Sequence, residues 1–557
     1  MAPKRSVLVW CAGGLLVPLL AAALWFALRP PAGPGPAPEP DEPAWFRDVT
    51  VEVGLDFVHD PGPTGGFAMP QSIGSGAAFL DFDGDGLLDI YLLNNGGPTG
   101  APNRLYRQLP GGRFQDVSRG SGLDFAGHCM GAAVGDVNND GKPDVLVTLF
   151  GGVKLFLNSG NGTFTDVTAA AGLDNPLWGT SAAFVDYDRD GRLDLVVNYV
   201  AYSGSQNCPR AGRPEFCAPH PFPGSVTKLY RNRTTAGAAV RFDDVSLASG
   251  LGAQPGPGLG VVCADFDGDG WPDVLVANDG KPNHLWISRP NPDPATVALT
   301  PRVFTEEGLA RGIGVNALGK ADANMGTALA DVDGDGLFDL FVTHVKNEQN
   351  TLWKQGPRGL FRDTTATAGL AAGRWRATGF GTVLADFDHD GWPDLAVANG
   401  DIEAAEPGAV DPAAGAAAGA FWAPYAQRNQ VFANTGAGTF RDRSGPGEPF
   451  CATPNVARGL AWADVDGDGA IDLLVTSIGW RARLFKNVAP ARGHWLHVRA
   501  LDPALKRDAY GAVVTVTAGG RARAGAINPG QSFLCSNDPR AHFGLATAAQ
   551  YESLRVL

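Results

Sequence analysis

Asp81-Phe-Asp-Gly-Asp-Gly-Leu-Leu-Asp89 sets carboxylates at positions 1, 3, 5 and 9 of a nine-residue stretch, with glycine at 6 to let the backbone fold back. Oxygen donors at that spacing around a tight turn suit a hard cation, calcium above all. The pattern returns six times. The donor sets are Asp81, Asp83, Asp85 and Asp89; Asp136, Asn138, Asp140 and Asp144; Asp186, Asp188, Asp190 and Asp194; and Asp265, Asp267, Asp269 and Asp273. The last three are Asp331, Asp333, Asp335 and Asp339; Asp386, Asp388, Asp390 and Asp394; and Asp464, Asp466, Asp468 and Asp472. Side-chain oxygens, the carbonyl at position 7 and a water would complete a six- or seven-oxygen sphere. A single such loop fits an acidic surface turn as well as a cation site. Seven in register read as cation sites, because carboxylates crowded in one turn repel without an ion. Up to seven Ca2+ are expected, structural in role. Asn138 makes loop two the least charged and the weakest, and His389, at position 4 of loop six, is expected to face solvent.

The acid is concentrated in these loops, which hold 27 of the 58 Asp and Glu residues. Seven divalent ions would cancel the formal charge of −14. The acidity is therefore mostly metal-ligand chemistry, and it argues against a nucleic-acid partner, which needs a basic face. The chain of 557 residues carries 75 glycines and 42 prolines with 44% hydrophobic residues, a composition suited to many short strands and tight turns.

The elements that must hold the loops are legible around them. A small-residue run precedes each loop, as in Gly76-Ala-Ala-Phe-Leu80, and an aliphatic strand follows, as in Ile90-Tyr-Leu-Leu93. Each loop thus joins two strands of a hairpin. A third strand resembling Asn103-Arg-Leu-Tyr-Arg107 and a fourth resembling Phe114-Gln-Asp-Val-Ser118 complete each unit. Loop spacings of 55, 50, 79, 66, 55 and 78 residues fit propeller blades with insertions rather than a strict solenoid. The seventh unit ends at Asn487 without a fourth strand, and an unmatched copy, Phe46-Arg-Asp-Val-Thr50, precedes the first loop. The expected fold is all-β: a seven-bladed β-propeller over residues 45–489, closed by that N-terminal strand, which also removes exposed sheet edges. A small C-terminal β domain is expected over 490–557, with Phe533-Leu534 among its strands.

All seven acidic hairpins then lie on one face. The long insertions Ala201 to Val226 and Asp401 to Arg428 follow second strands and crown the opposite face. Asn103, Asn283, Asn350 and Asn429 lie on that opposite face, where turn capping by the amide outweighs ligand contact. Trp178, Trp375 and Trp480 are placed there too, as interface anchors or as packing over the blade ends.

Lys4 and Arg5 precede an apolar run from Ser6 to Leu28 that is long enough to span a bilayer. Residues 1–28 read as a signal-anchor transmembrane helix that sends the rest across the membrane. A signal cleaved near Ala21-Ala-Ala23 is the rival, though the apolar run continues beyond it. Residues 29–44 form a Pro-rich linker. Cys208 and Cys217 are expected to be disulfide-bonded, Cys129 and Cys263 to be buried small hydrophobes, and Cys451 and Cys535 fit either reading.

The loops with their flanking strands resemble the FG-GAP/VCBS repeats of integrin α-subunit propellers. The coupling of such strands to Phe-x-Asp-Val-Thr-x-x-x-Gly-Leu, as in Phe164 to Leu173, is similar to the cartilage acidic protein family. Arg507-Asp-Ala-Tyr-Gly-Ala-Val-Val514 and His542-Phe-Gly-Leu545 resemble that family's ASPIC/UnbV domain, which commonly runs on past the point matching Leu557 into a Trp-Pro-x-Gly-type strand. The resemblance implies an extracytoplasmic calcium-binding propeller for adhesion or protein interaction. The expected partner is a protein or glycan on the face opposite the calcium loops, with the membrane engaged through the N-terminal helix. No Gly-x-Ser-x-Gly elbow, His-Glu-x-x-His zinc helix or Walker loop occurs, and the nine histidines do not cluster at zinc-ligand spacing in the sequence, so the chain reads as a non-enzyme. The alternative is an extracytoplasmic metal-dependent hydrolase of polymers or lipids.

Overall fold

Each acidic loop joins two antiparallel strands, and each pair is extended by two more, as the register of the first sheet illustrates: Ala77–Leu80, Asp89–Leu92, Arg104–Leu109 and Arg113–Asp116. This arrangement comes from a computed structural model that describes residues 42–173, 175–201, 208–210, 212–217, 223–490 and 492–557. The apolar N-terminal run lies outside the described residues. No helix among them is long and apolar enough to cross a membrane.

The fold is all-β and built from repeated four-stranded sheets, as in a β-propeller. Six sheets use four consecutive strands. In a seventh, Ala457–Ala463, Asp472–Ser477 and Arg483–Asn487 are completed by Phe46–Asp48, with Phe46 opposite Asn487. Glu448 pins this closing strand: its carboxylate accepts the N–H groups of Trp45 (2.7 Å) and Phe46 (3.2 Å).

First strands pack against first strands in unbroken succession, and Ala457–Ala463 returns to Ala77–Leu80. That crowding explains the small residues. A Cβ on Gly76 would lie 2.5 Å from the Met130 carbonyl oxygen, and one on Gly326 would lie 2.0 Å from that of Phe380. Third strands stitch neighbouring sheets together. The amides of Asn158, Asn232, Gln355, Asn434 and Asn487 donate to the carbonyls of Phe82, Val137, Phe266, Val332 and Phe387, each at position 2 of the preceding sheet's loop. Gln108 does the same to Val465, across the junction between the last sheet and the first.

The fourth-strand motif has a local cause. Asp116 accepts both the N–H and the hydroxyl of Ser118, and that hydroxyl accepts the Leu105 N–H from the third strand. Asp166 and Thr168, Asp244 and Ser246, and Asp363 and Thr365 repeat the turn. The phenylalanine two residues before each aspartate is buried between sheets.

Beyond residue 490, His494–Val498 pairs with Ala541–Ala546, and Val513–Ala518 is flanked by Arg521–Ala526 and Ser553–Val556. Val514, Val516, Ile527, Phe543 and Leu545 form an apolar cluster of their own there. The expected strand at Phe533-Leu534 is corrected: these residues form a bend that lies among the first strands of the ring, clustered with Met69, Met130, Trp178, Leu259, Met325 and Phe380. The neighbouring Cys535–Ser536 pairs in parallel with Ala77 and Ala78. Ser532 exchanges backbone bonds with Thr327 and accepts the Thr382 N–H on its hydroxyl. Asn537 accepts the Trp462 N–H, and Asn528 donates to the Cys263 carbonyl. An apolar pair with a dense polar frame thus fills what would otherwise be an unpacked centre. Ala44–Leu557 forms one compact unit.

Candidate metal centres

The seven loops share one internal wiring. The position-1 carboxylate accepts the N–H of the position-6 glycine in every case, from Gly86 to Asp81 (3.0 Å) through Gly469 to Asp464 (3.0 Å). The position-5 carboxylate accepts the N–H of position 7, as from Leu87 to Asp85 (2.9 Å) and from Ala470 to Asp468 (2.9 Å). Positions 4 and 6 both sit at positive φ. Glycine at 6 satisfies this throughout, whereas position 4 carries Asn139 (55°), Arg189 (54°) and His389 (58°) in three loops.

Position 9 does more than the spacing suggested. Both oxygens of Asp89 are engaged, one by the Phe82 N–H (3.1 Å) and the other by the Gln108 N–H (2.8 Å) of the third strand. Asp144, Asp194, Asp273, Asp339, Asp394 and Asp472 make the same two bonds. These aspartates are buried and fix the loop to the sheet, each oxygen keeping a lone pair for an ion.

The residues fit a cation by a further test. Asp188 Oδ1, Asp267 Oδ1, Asp333 Oδ1, Asp386 Oδ1 and Asp464 Oδ1 are buried without a hydrogen-bond partner. An orphaned carboxylate oxygen is costly, and a bound cation removes the cost. Ligand atoms of Asp81, Asp83 and Asp85, of Asp265, Asp267 and Asp269, and of Asp331, Asp333 and Asp339 lie within 4.8 Å of one another, as do the corresponding groups from Asp186 and Asp386. Burial, the largest cause, pushes Asp273 up to about 7 and Asp89 and Asp339 up to about 8, with neighbouring loop carboxylates adding to the rise. Asp186, Asp331 and Asp464 are pushed to about 6 for the same leading reason.

Sequence reading missed a cation already present in the wiring. Arg107 lies 2.6 Å from Asp83, Arg231 2.6 Å from Asp188, and Lys354 3.0 Å from Asp333, while Lys486 pairs with Asp466. All four occupy the same register of the third strand, one residue beyond Tyr106, Tyr230, Trp353 and Phe485. That recurrent basic residue was the available signal. In loop five Lys354 takes one oxygen of position 3 and leaves the other as the orphan, and in loop three Arg231 pairs with Asp188 by charge while both carboxylate oxygens stay without a hydrogen bond. In loop two, Asn138 accepts the Asp140 N–H through its side-chain oxygen (3.0 Å).

His389 corrects the expectation of a solvent-facing side chain. It is 1% exposed, its Nδ1 is 3.2 Å from the Gly493 carbonyl, and its ring centre is 5.2 Å from that of His542. The C-terminal segment lies against the acidic loops: Arg507 donates to Asn139 (3.0 Å) and Gly191 (3.2 Å), and the Ala546 N–H donates to the His389 carbonyl (2.9 Å). The asparagines before the third strands close their turns. Asn103 accepts the Asn94 N–H, Asn283 that of Asn278, Asn350 that of His344 and Asn429 that of Asn399. Trp178 is buried in the central cluster, whereas Trp375 and Trp480 are half-exposed. Cys208 and Cys217 form a disulfide, and Cys129, Cys263, Cys451 and Cys535 are free and buried.

The family described as FG-GAP-like repeat matches residues 81–147, 136–197, 265–342, 331–397 and 420–475, which together exceed half of the chain. The chain belongs to the FG-GAP-like repeat family. The C-terminal part of this FG-GAP-like repeat protein, residues 502–557, matches the family described as ASPIC and UnbV. It is similar to cartilage acidic protein 1 of Mus musculus, 29% identical over 365 residues that cover 57% of this chain and 54% of that protein. The Xenopus tropicalis protein of the same name is 26% identical over 57% of this chain and 54% of its own length. The FG-GAP-like repeat protein thus spans about half the length of the curated relatives it matches. Among solved structures, the exotype rhamnogalacturonan lyase YesX is 13% identical, with 74% of this chain and 72% of that one covered at a TM-score of 0.38, a likeness that carries no argument about chemistry.

Proposed function

We propose that the chain is an exported, calcium-stabilised, seven-bladed β-propeller that serves as an adhesion or interaction module, with a small β domain after residue 490. The observation that carries the calcium reading is the set of buried, unpartnered carboxylate oxygens in loops three to seven, each inside a loop that already satisfies its own backbone donors. The donors at positions 1, 3, 5 and 9 would hold the ions, which supply charge neutralisation within each hairpin. Export follows from the apolar N-terminal run, which acts as membrane anchor or cleaved signal.

The recognition surface is the face opposite the acidic hairpins. The C-terminal segment occupies the loop face, which supports this choice. On the opposite side, the insertions after the second strands of the third and sixth sheets meet: Phe216 stacks on Trp422 at 5.6 Å, and Glu215 accepts the Tyr425 hydroxyl at 2.6 Å. Half-buried Phe67 and Phe421 flank them, 5.6 Å apart, and offer aromatic anchors to a protein or glycan.

Calcium counting by mass spectrometry, paired with thermal melting in calcium and in chelator, tests the reading. Several ions per chain and a lower Tm in chelator are expected. An unchanged Tm with one ion or none would overturn it. Glycan and protein binding by Phe67→Ala and Phe421→Ala variants, compared with the parent, tests the face.

A further inference from the structure

Three of the nine histidines meet where loops six and seven touch the C-terminal strands. His389 comes from loop six, and His497 and His542 are directly paired across the strands His494–Val498 and Ala541–Ala546. The ring centre of His542 lies 4.9 Å from that of His497 and 5.2 Å from that of His389. Each ring already has one nitrogen beside an oxygen acceptor. His389 Nδ1 is 3.2 Å from the Gly493 carbonyl, His542 Nε2 is 3.0 Å from the Gly469 carbonyl, and His497 Nδ1 is 3.4 Å from Asp464 Oδ2. The nitrogens on the far sides of two rings, His389 Nε2 and His542 Nδ1, are buried without partners.

We propose that His389, His497 and His542 form a site for a borderline transition-metal ion of the Zn2+ class, separate from the oxygen loops. Imidazole nitrogen suits zinc, copper or nickel, while calcium selects oxygen. A ligating histidine characteristically gives its other ring nitrogen to a carbonyl or carboxylate, and all three rings are so placed. Two imidazoles sharing one tetrahedral zinc at ~2.0–2.1 Å have ring centres about 5 Å apart, as both His542 pairs do here. With one ligand from a propeller loop and two from the C-terminal strands, the ion would cross-link the two parts and leave a fourth position for water.

The full-length chain, saturated with Ca2+, is titrated with Zn2+ and with Co2+. One Zn2+ per chain should survive gel filtration, and Co2+ should give the visible absorption of a tetrahedral nitrogen-ligated ion that Zn2+ bleaches. His389→Gln with His542→Gln should weaken Zn2+ binding at least hundredfold, while exposed His494→Gln should leave it unchanged. Less than stoichiometric zinc on the parent chain, no visible cobalt bands, or undiminished binding in the double variant each overturns the proposal. Should the double variant fail to fold, His497→Gln must abolish the cobalt bands for the proposal to stand.

Discussion

At the scale of single residues, position 9 separates the structural role of the loops from metal binding. Replacing Asp339 by alanine strands the Val332 and Gln355 N–H groups, so a loss of roughly 2–5 kcal/mol is expected even in chelator. Asp335→Ala, on the exposed side of the same loop, should cost little in chelator and more in calcium. Denaturant melts under both conditions check the contrast. The raised carboxyls also set a pH dependence. Asp89, Asp273 and Asp339 titrate near 7 to 8 when folded without metal, well above the ~3.9 of an unfolded aspartate, so the folded state binds the extra protons. Their contribution is complete below pH ~4 and is lost as pH rises through 7 to 8. The Tm in chelator should therefore fall between pH 5 and 8.5, while calcium, which replaces those protons, should flatten the slope. A parallel decline in calcium would refute this linkage.

At the scale of elements, the closing strand and the central bend are the two points where distant chain segments are joined. Glu448→Ala removes the acceptor for Trp45 and Phe46, and a loss of about 1.5–3 kcal/mol is expected for these charge-assisted bonds. Hydrogen exchange should then rise first at Phe46–Asp48. The four-strand unit was readable because its short apolar runs and Asp-x-Ser/Thr turns act within one unit: Asp116 and Ser118 are neighbours in sequence and close their turn locally. The bend at Phe533-Leu534 was not readable. Two adjacent apolar residues look the same in a strand and in a plug, and only the residues packed around them, Met130, Trp178, Leu259, Met325 and Phe380 among them, decide between the two.

At the scale of the whole molecule, the C-terminal segment acts on both the centre and the loop face of the ring. Phe533→Ala would leave a cavity beside Phe380, 5.1 Å away between ring centres, and a loss of about 3–5 kcal/mol is expected by thermal or denaturant melting. The four-strand repeat and the acidic-loop pattern were determined by the sequence alone, because each is written in short-range spacing, whereas the completion of the last sheet by Phe46–Asp48 followed from counting the fourth-strand motif, whose unmatched copy precedes the first loop. Only the tertiary structure decided that His389 is buried against His542, that Arg107, Arg231, Lys354 and Lys486 share the position-3 carboxylates, and that residues 528–538 occupy the ring centre. The histidine and central contacts join residues far apart in the chain and occur once each, so no local period announces them, whereas the basic residue recurs at one register of the third strand and was there to be read.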